Sequence, residues 1–291
     1  MVLGLSSGLH SDEPDPSKVV MQKIAIENKV TLHDGSISES SGLARCNHHP
    51  DWFWTHNDSG DEPRVFLVDS EGETRAIYRL PGAGAIDWED MTSFESDGHH
   101  YLLTGDIGGN AQPRKTLSLY LFEEPAWVDS GGKKLVREIT DYHTLTVSLS
   151  DSLTDYESLA VDPKEPSGFL VEKTSLGGRV YRFPIDLTKP NLAVNAKEIG
   201  RVEIPMATSC DIAADGSAMV ILSYFGIYVF ERTKVEDGAW EAWEVALRRP
   251  PKGYRTPTFA QVEAICFGES NQLLWLTHEK VPTTLWQLRR Q

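Results

Sequence analysis

The sequence predicts an all-β chain folded as a five-bladed β-propeller. Three observations lead there. A short motif recurs at near-regular spacing, further short β-branched and aromatic runs follow each copy, and one strand near the N-terminus has no unit of its own. The clearest copies are EDMTSF from Glu89, ESLAVD from Glu157 and EAICFG from Glu263, each an acidic residue followed by a short apolar strand. Two weaker copies align with them, SGLARC from Ser41 and CDIAAD from Cys210. The unit starts at 41, 89, 157, 210 and 263 are spaced by 48, 68, 53 and 53 residues, close to the ~40–50 residues of a propeller blade.

Each unit continues in the same way. The second runs are DWFWTH, YLLTGD, GFLVEK, AMVILSY and QLLWLTH, and the third are RVFLVD, LSLYLF, RVYRFP, GIYVFE and TLWQLR. Runs of this kind, bounded by Gly, Asp and Pro, are strands rather than helices. More polar fourth strands are expected at TRAIYRL, at a longer KLVREITDYHTLTVSL, at AKEIGRVEI and at WEAWEVAL. The last unit ends near Gln287 with three strands. The segment KIAIENKVTLH is then expected to pair with the last unit, closing the ring and covering two free edges. The domain reading is a flexible segment at 1–20 and a single propeller domain at 21–291.

Composition narrows the function. Apolar residues make up 40% of the 291, enough for a proper core, and no run approaches the ~18–20 apolar residues of a membrane span. The opening MVLGLSSGLHSDEPDPSK lacks a basic n-region and a long apolar stretch, so it reads as a flexible lead-in or the remainder of a trimmed export signal. The compartment stays open, with a periplasmic or secreted location favoured. Cys46, Cys210 and Cys266 are an odd count without metal spacing, as expected of small core residues. A net charge of −15 repels phosphate backbones and anionic lipid, which argues against nucleic acid and membrane partners. A small-molecule substrate and a monomer are expected.

In a four-stranded meander the start of the first strand and the end of the second lie at one end of the blade. With first strands lining the channel, these residues converge on one mouth. First-strand starts supply Ser41, Glu89, Glu157, the Thr208–Ser209 stretch and Glu263. One such glutamate would merely cap a turn. Three around a narrow channel cannot all stay ionised, so pKa values rise or a cation sits among them. Oxygen-only donors suit Ca²⁺, and no His/Cys cluster suits zinc. Second-strand ends supply His56, Asn57, Asp58, Asp106, Asn110, Lys173, Tyr224, His278 and Glu279. Asp58 or Asp106 is the expected general base or nucleophile, although both also fit Asx turns. Lys173, with Arg114 as a second candidate, would neutralise developing charge. His56 and His278 are alternatives for proton transfer. Asn57, Asn110, Arg114, Tyr224 and Glu279 are expected to line the substrate site. His48, His49, His99 and His100 fall at the opposite mouth and are assigned no role.

The pattern resembles five-bladed propellers such as the calcium-activated nucleotidases. That resemblance implies Ser and Glu side chains at first-strand starts converging on one calcium, carried over to Ser41, Glu89, Glu157 and Glu263. The fourth unit departs from it, with Cys210 at the aligned place and Ser209 or Thr208 as the nearest hydroxyls. The strings WTHNDSGDEPRVFLVDSEG, DWEDM and GDIGGN also look like uncharacterised bacterial propellers. More loosely, calcium in a funnel is similar to paraoxonase and lactonase propellers. The resulting expectation is calcium-dependent hydrolysis of a phosphoester or a related lactone or organophosphate. The alternatives are a glycoside hydrolase using paired carboxylates, with Trp54 or Trp88 stacking a sugar, and a non-catalytic propeller with structural calcium.

Overall fold

The structure is a computed structural model and describes residues 19–109, 114, 116–128, 131–149, 154–189, 191–257 and 261–290. Among these residues it is all-β apart from one helical turn. Strands β1 (Met21–Gln22) and β2 (Ala25–Thr31) come first. An antiparallel meander follows: β3 (Ser40–Arg45), β4 (Trp52–Asn57), β5 (Arg64–Asp69) and β6 (Thr74–Arg79). Next come β7 (Trp88–Ser96), β8 (His99–Asp106) and β9 (Leu117–Glu123), then β10 (Leu135–Glu138) and β11 (His143–Leu149).

The expected long fourth strand at KLVREITDYHTLTVSL is therefore two strands serving two sheets. β10 pairs parallel with β6 and covers that edge, while β11 pairs antiparallel with β9. Both pieces go where an open ladder would otherwise face solvent.

The meander β12 (Tyr156–Asp162), β13 (Ser167–Glu172), β14 (Arg179–Pro184) and β15 (Ala193–Arg201) matches the expected runs. Its outer strand β15 pairs parallel with β11, joining the two meanders into one eight-stranded sheet. Then come β16 (Ala207–Ile212), β17 (Ala218–Ser223) and β18 (Gly226–Glu231).

WEAWEVAL is a second correction, because it forms the helical turn α1 (Trp243–Ala246) rather than a strand. Its alternation reads as β, but Trp243 is fully buried, with its indole N–H donating to Asp162 Oδ2 at 2.9 Å. The Arg232 guanidinium stacks on the same ring 4.3 Å from its centroid. The edge of β18 is filled instead by β19 (Lys252–Tyr254), with β1 added in parallel beyond it.

The last strands are β20 (Val262–Phe267), β21 (Leu273–His278) and β22 (Thr284–Arg289). As expected, the N-terminal strand β2 pairs antiparallel with β22, from Ala25↔Arg289 to Thr31↔Thr284. The N-terminal segment thus ties two sheets, β1 to one and β2 to the other.

Strand β3 lies against β7, β7 against β12, β12 against β16, β16 against β20 and β20 against β3, so the inner strands close a circle. Apolar side chains fill the space between neighbouring sheets, and Cys46, Cys210 and Cys266 are free and buried among them.

Neighbouring inner strands do not pair with one another, so their inner N–H groups need other acceptors. Asp90, fully buried, supplies them. Its Oδ2 accepts from Leu159 N at 2.8 Å and Cys210 N at 2.9 Å, and its Oδ1 from Ser209 Oγ at 3.0 Å. Asp211 accepts from Phe267 N at 2.8 Å and Thr92 Oγ1 at 3.2 Å. One carboxylate thus links β7, β12 and β16, and the other links β16, β7 and β20.

Two predictions follow from this architecture. Deleting the chain through Thr31 strips β1 and β2 from two edges, and the truncated protein should lose its cooperative thermal transition by circular dichroism. Burial pushes Asp211 from 3.8 up to about 7. Between these values the folded protein holds a proton that the unfolded chain has released, so this group's contribution to stability falls as pH rises through the window. The slope from one such group is at most about 1.4 kcal/mol per pH unit. Denaturant titrations from pH 4 to 8 should show Asp211→Asn flattening the fall.

Candidate functional site

Every inner strand carries an irregularity at the same place. The pairing skips from Ser40 to Gly42 in β3, Trp88 to Asp90 in β7 and Tyr156 to Ser158 in β12. It likewise skips from Ala207 to Ser209 in β16 and Val262 to Ala264 in β20. The skipped residues are Ser41, Glu89, Glu157, Thr208 and Glu263, each the extra residue of a bulge. A bulge leaves one residue outside the ladder and re-aims its side chain.

The unit expected to start at Cys210 is therefore registered two residues late. Thr208 is the equivalent position, Ser209 sits in the ladder with its hydroxyl on Asp90, and Cys210 belongs to the core. In the structure Thr208 Oγ1 donates to the Val262 carbonyl at 3.0 Å.

A second set of residues follows the second strands. The N–H groups of Asp58, Ile107, Lys173, Tyr224 and Glu279 donate to the carbonyls of Glu39, Asp87, Asp155, Met206 and Gln261 in turn. The repeated bond sets each of these residues beside the bulge and brings in two carboxylates that sequence reasoning missed, Asp87 and Asp155. The signal was present: Asp87-Trp88-Glu89 and Asp155-Tyr156-Glu157 share an acid–aromatic–acid pattern. Both aromatics are buried, and strand alternation places the flanking acids on the other side.

The result is two overlapping carboxylate triads. Oxygens of Asp58, Asp87 and Glu89 lie within 4.8 Å of one another, as do those of Glu89, Asp155 and Glu157. Glu89 belongs to both, is only 3% exposed, and its Oε1 is buried without a hydrogen-bond partner. Ser41 Oγ donates to its other oxygen at 3.5 Å. Gly108 closes the site from the side. A Cβ there would stand 2.1 Å from Glu89 Oε1 and 2.5 Å from Asp87 Oδ2. Gly109 N–H donates to Asp155 Oδ1 at 2.9 Å. An all-oxygen donor set with an orphaned buried oxygen fits a hard divalent cation.

The charges are strained in the direction this implies. Burial, then the neighbouring Glu157 and Asp58, pushes Glu89 well above the usual carboxylate range. Burial raises Glu157 and Glu263 to about 8 each, although Lys173 pulls the first back and the Tyr224 hydroxyl the second. Burial, with Asp87 and Glu279 nearby, lifts Asp58 to about 6. Lys173 Nζ pairs with Glu157 Oε2 and donates to Tyr224 OH at 3.2 Å, and Tyr224 OH donates to Glu263 Oε1 at 2.8 Å. Burial alone would make that ammonium easier to deprotonate, but the Glu157 carboxylate outweighs it and holds the proton on.

Other expected site residues are engaged elsewhere. Asp106 is buried, pairs with Arg114 and accepts from Ile86 N and Asp87 N, so it anchors the approach to β7. Arg114 gives its Nη1 to Asp106, while its Nη2 is buried without a hydrogen-bond partner. The Asn57 amide accepts from the N–H groups of Ser38 and Glu39 and donates to the Ser36 carbonyl and Asp61, which orders the loop before β3. His56 is fully buried behind Gly42 and edge-on to Trp88, and burial lowers its pKa to about 4, so it stays neutral. His278 Nδ1 accepts from Lys280 N–H, and its ring packs against Trp286. Glu279 is half-buried at the rim beside Asp58 and Glu263, raised by its burial and by Glu39. Asn110 lies outside the described residues. Trp54 and Trp88 are both buried, which removes the expected stacking platform for a sugar.

No protein-family model matches the chain, and no curated protein matches it. Among solved structures it is similar to a luciferin-regenerating enzyme, at 11% identity and a TM-score of 0.46, over 87% of this chain and 92% of that one. A likeness at that level carries no argument about activity. Among the described residues no helix is long and apolar enough to cross a membrane.

Gly108→Ala tests the cradle without removing a ligand. The added methyl should cost at least about tenfold in affinity for a divalent cation, or about 1.4 kcal/mol, read by calorimetry. The protein should keep a cooperative melt.

Proposed function

We propose that this chain is a five-bladed propeller that holds calcium among the carboxylates at one mouth of its channel and hydrolyses an ester there, a phosphoester or a related lactone or organophosphate. The observation that carries this reading is Glu89, whose buried, unpartnered oxygen stands where two carboxylate triads meet. A bound hard cation supplies charge that polarises a phosphoryl or carbonyl oxygen. Asp58 is the one expected base left at the rim, and it takes the proton of the attacking water. Lys173, held on the far side of the ring by Glu157 and Tyr224, sets its positive charge toward the oxygen that gains charge. Glu279, beside Asp58, disfavours anionic groups at that edge and so sets the substrate's orientation. The partner is a small molecule, and the acidic surface of a monomer excludes nucleic acid and anionic membrane.

One observation favours a second reading. Asp106, Arg114, Asn57, His56 and His278 are all committed to structural bonds or burial, which is what a non-catalytic propeller with structural calcium would show. A panel of chromogenic phosphomonoesters, diesters, triesters, lactones and glycosides, run with calcium and with chelator, separates the readings. Ester turnover that needs calcium and falls ~10²–10⁴-fold in Asp58→Asn even at calcium concentrations that saturate the variant, with the melt retained, supports the hydrolase. Silence on every substrate with calcium bound supports the second reading.

A further inference from the structure

Of the two triads at the mouth, one already has a cation. Glu157 is paired with the Lys173 ammonium, which reaches Tyr224 OH at 3.2 Å, and that hydroxyl in turn donates to Glu263 at 2.8 Å. The chain Glu157–Lys173–Tyr224–Glu263 is thus hydrogen-bonded end to end, from β12 through the residues that follow β13 and β17 to β20. The other side differs. Among the described residues no lysine or arginine pairs with Asp58 or with Glu89, the residue the two triads share. The orphaned oxygen of Glu89 faces the Gly108 cradle that it shares with Asp87.

We infer that Lys173 is a built-in cation occupying one half of the carboxylate ring, so that the wild-type chain takes a single divalent ion, held off-centre on Asp58, Asp87 and Glu89. This rests on the metal-site reading above and refines it. The family resemblance implied a set of Ser41, Glu89, Glu157 and Glu263, but two of those glutamates are served by the chain's own ammonium and phenol. The ammonium is tethered and monovalent. It satisfies Glu157 without bringing the 6–8 oxygen contacts that calcium requires, and it blocks a second ion by charge and by volume. Removing it would leave Glu89, Asp155 and Glu157 as an open triad.

The test is calorimetric titration of the metal-free full chain with calcium. Wild type is expected to bind one ion, Lys173→Arg one, and Lys173→Met two. Wild type binding two ions, or Lys173→Met binding one with unchanged affinity, overturns the inference and leaves the metal site standing. No calcium binding by wild type removes the metal site itself. Should Lys173→Met not fold, a pair of variants that retain the lysine decides. Asp58→Asn should weaken calcium at least about tenfold and Asp155→Asn no more than about threefold, because affinity follows the charge of the direct ligands. Equal losses, or the reverse order, overturn the off-centre site.

Discussion

A channel walled by packed strands cannot return to a carboxylate the hydration it loses on burial, and the upper half of this molecule is organised around that deficit. Charge in such a place must be neutralised by a proton, by a cation or by directed N–H and O–H donors. The last two are present at different depths. Deep in the channel Asp90 and Asp211 are served by backbone N–H groups and hydroxyls from neighbouring inner strands. At the mouth Glu157 and Glu263 are served by Lys173 and Tyr224. Glu89, between them and Asp58, has an oxygen with nothing.

The buried aspartates make the channel structural as well as functional. Inner strands of a closed ring cannot extend each other's ladder, since twist carries neighbouring sheets apart. Without Asp90 the N–H groups of Leu159 and Cys210 would be buried and unpaired, at about 1–3 kcal/mol each. The same residue is one step from Glu89, so the support of the ring and the composition of the mouth are set by adjacent positions of β7. Changes aimed at one are felt by the other.

The bulge makes this adjacency workable. In a regular strand Glu89 and Asp90 would point to opposite faces. The extra residue lets the glutamate turn toward the mouth while the aspartate faces the neighbouring inner strands. Its repetition at Ser41, Glu157, Thr208 and Glu263 gives the mouth a common geometry with different chemistry at each position. Gly108 after β8 has a matching role, since only a residue without a side chain leaves room beside Glu89 and Asp87.

Much of this was legible in the chain. The repeat of short apolar runs specified strands and their order, and the orphan N-terminal strand specified its partner, because alternation and edge pairing are local matters that sequence records directly. The recurrence of Glu89, Glu157 and Glu263 at strand starts marked one mouth. Tertiary structure decided the rest. WEAWEVAL alternates like a strand, yet it turns helical because Trp243 finds a buried acceptor on Asp162, 81 residues away in sequence. Asp106 and Arg114 look like mouth chemistry until packing brings them together. Thr208 rather than Ser209 or Cys210 is equivalent to the glutamates, because a bulge is defined by its partner strand and leaves no mark in its own. The asymmetry of the mouth depends on where Lys173 reaches. Spacing places its backbone, but only the packed ring determines that its ammonium meets Glu157.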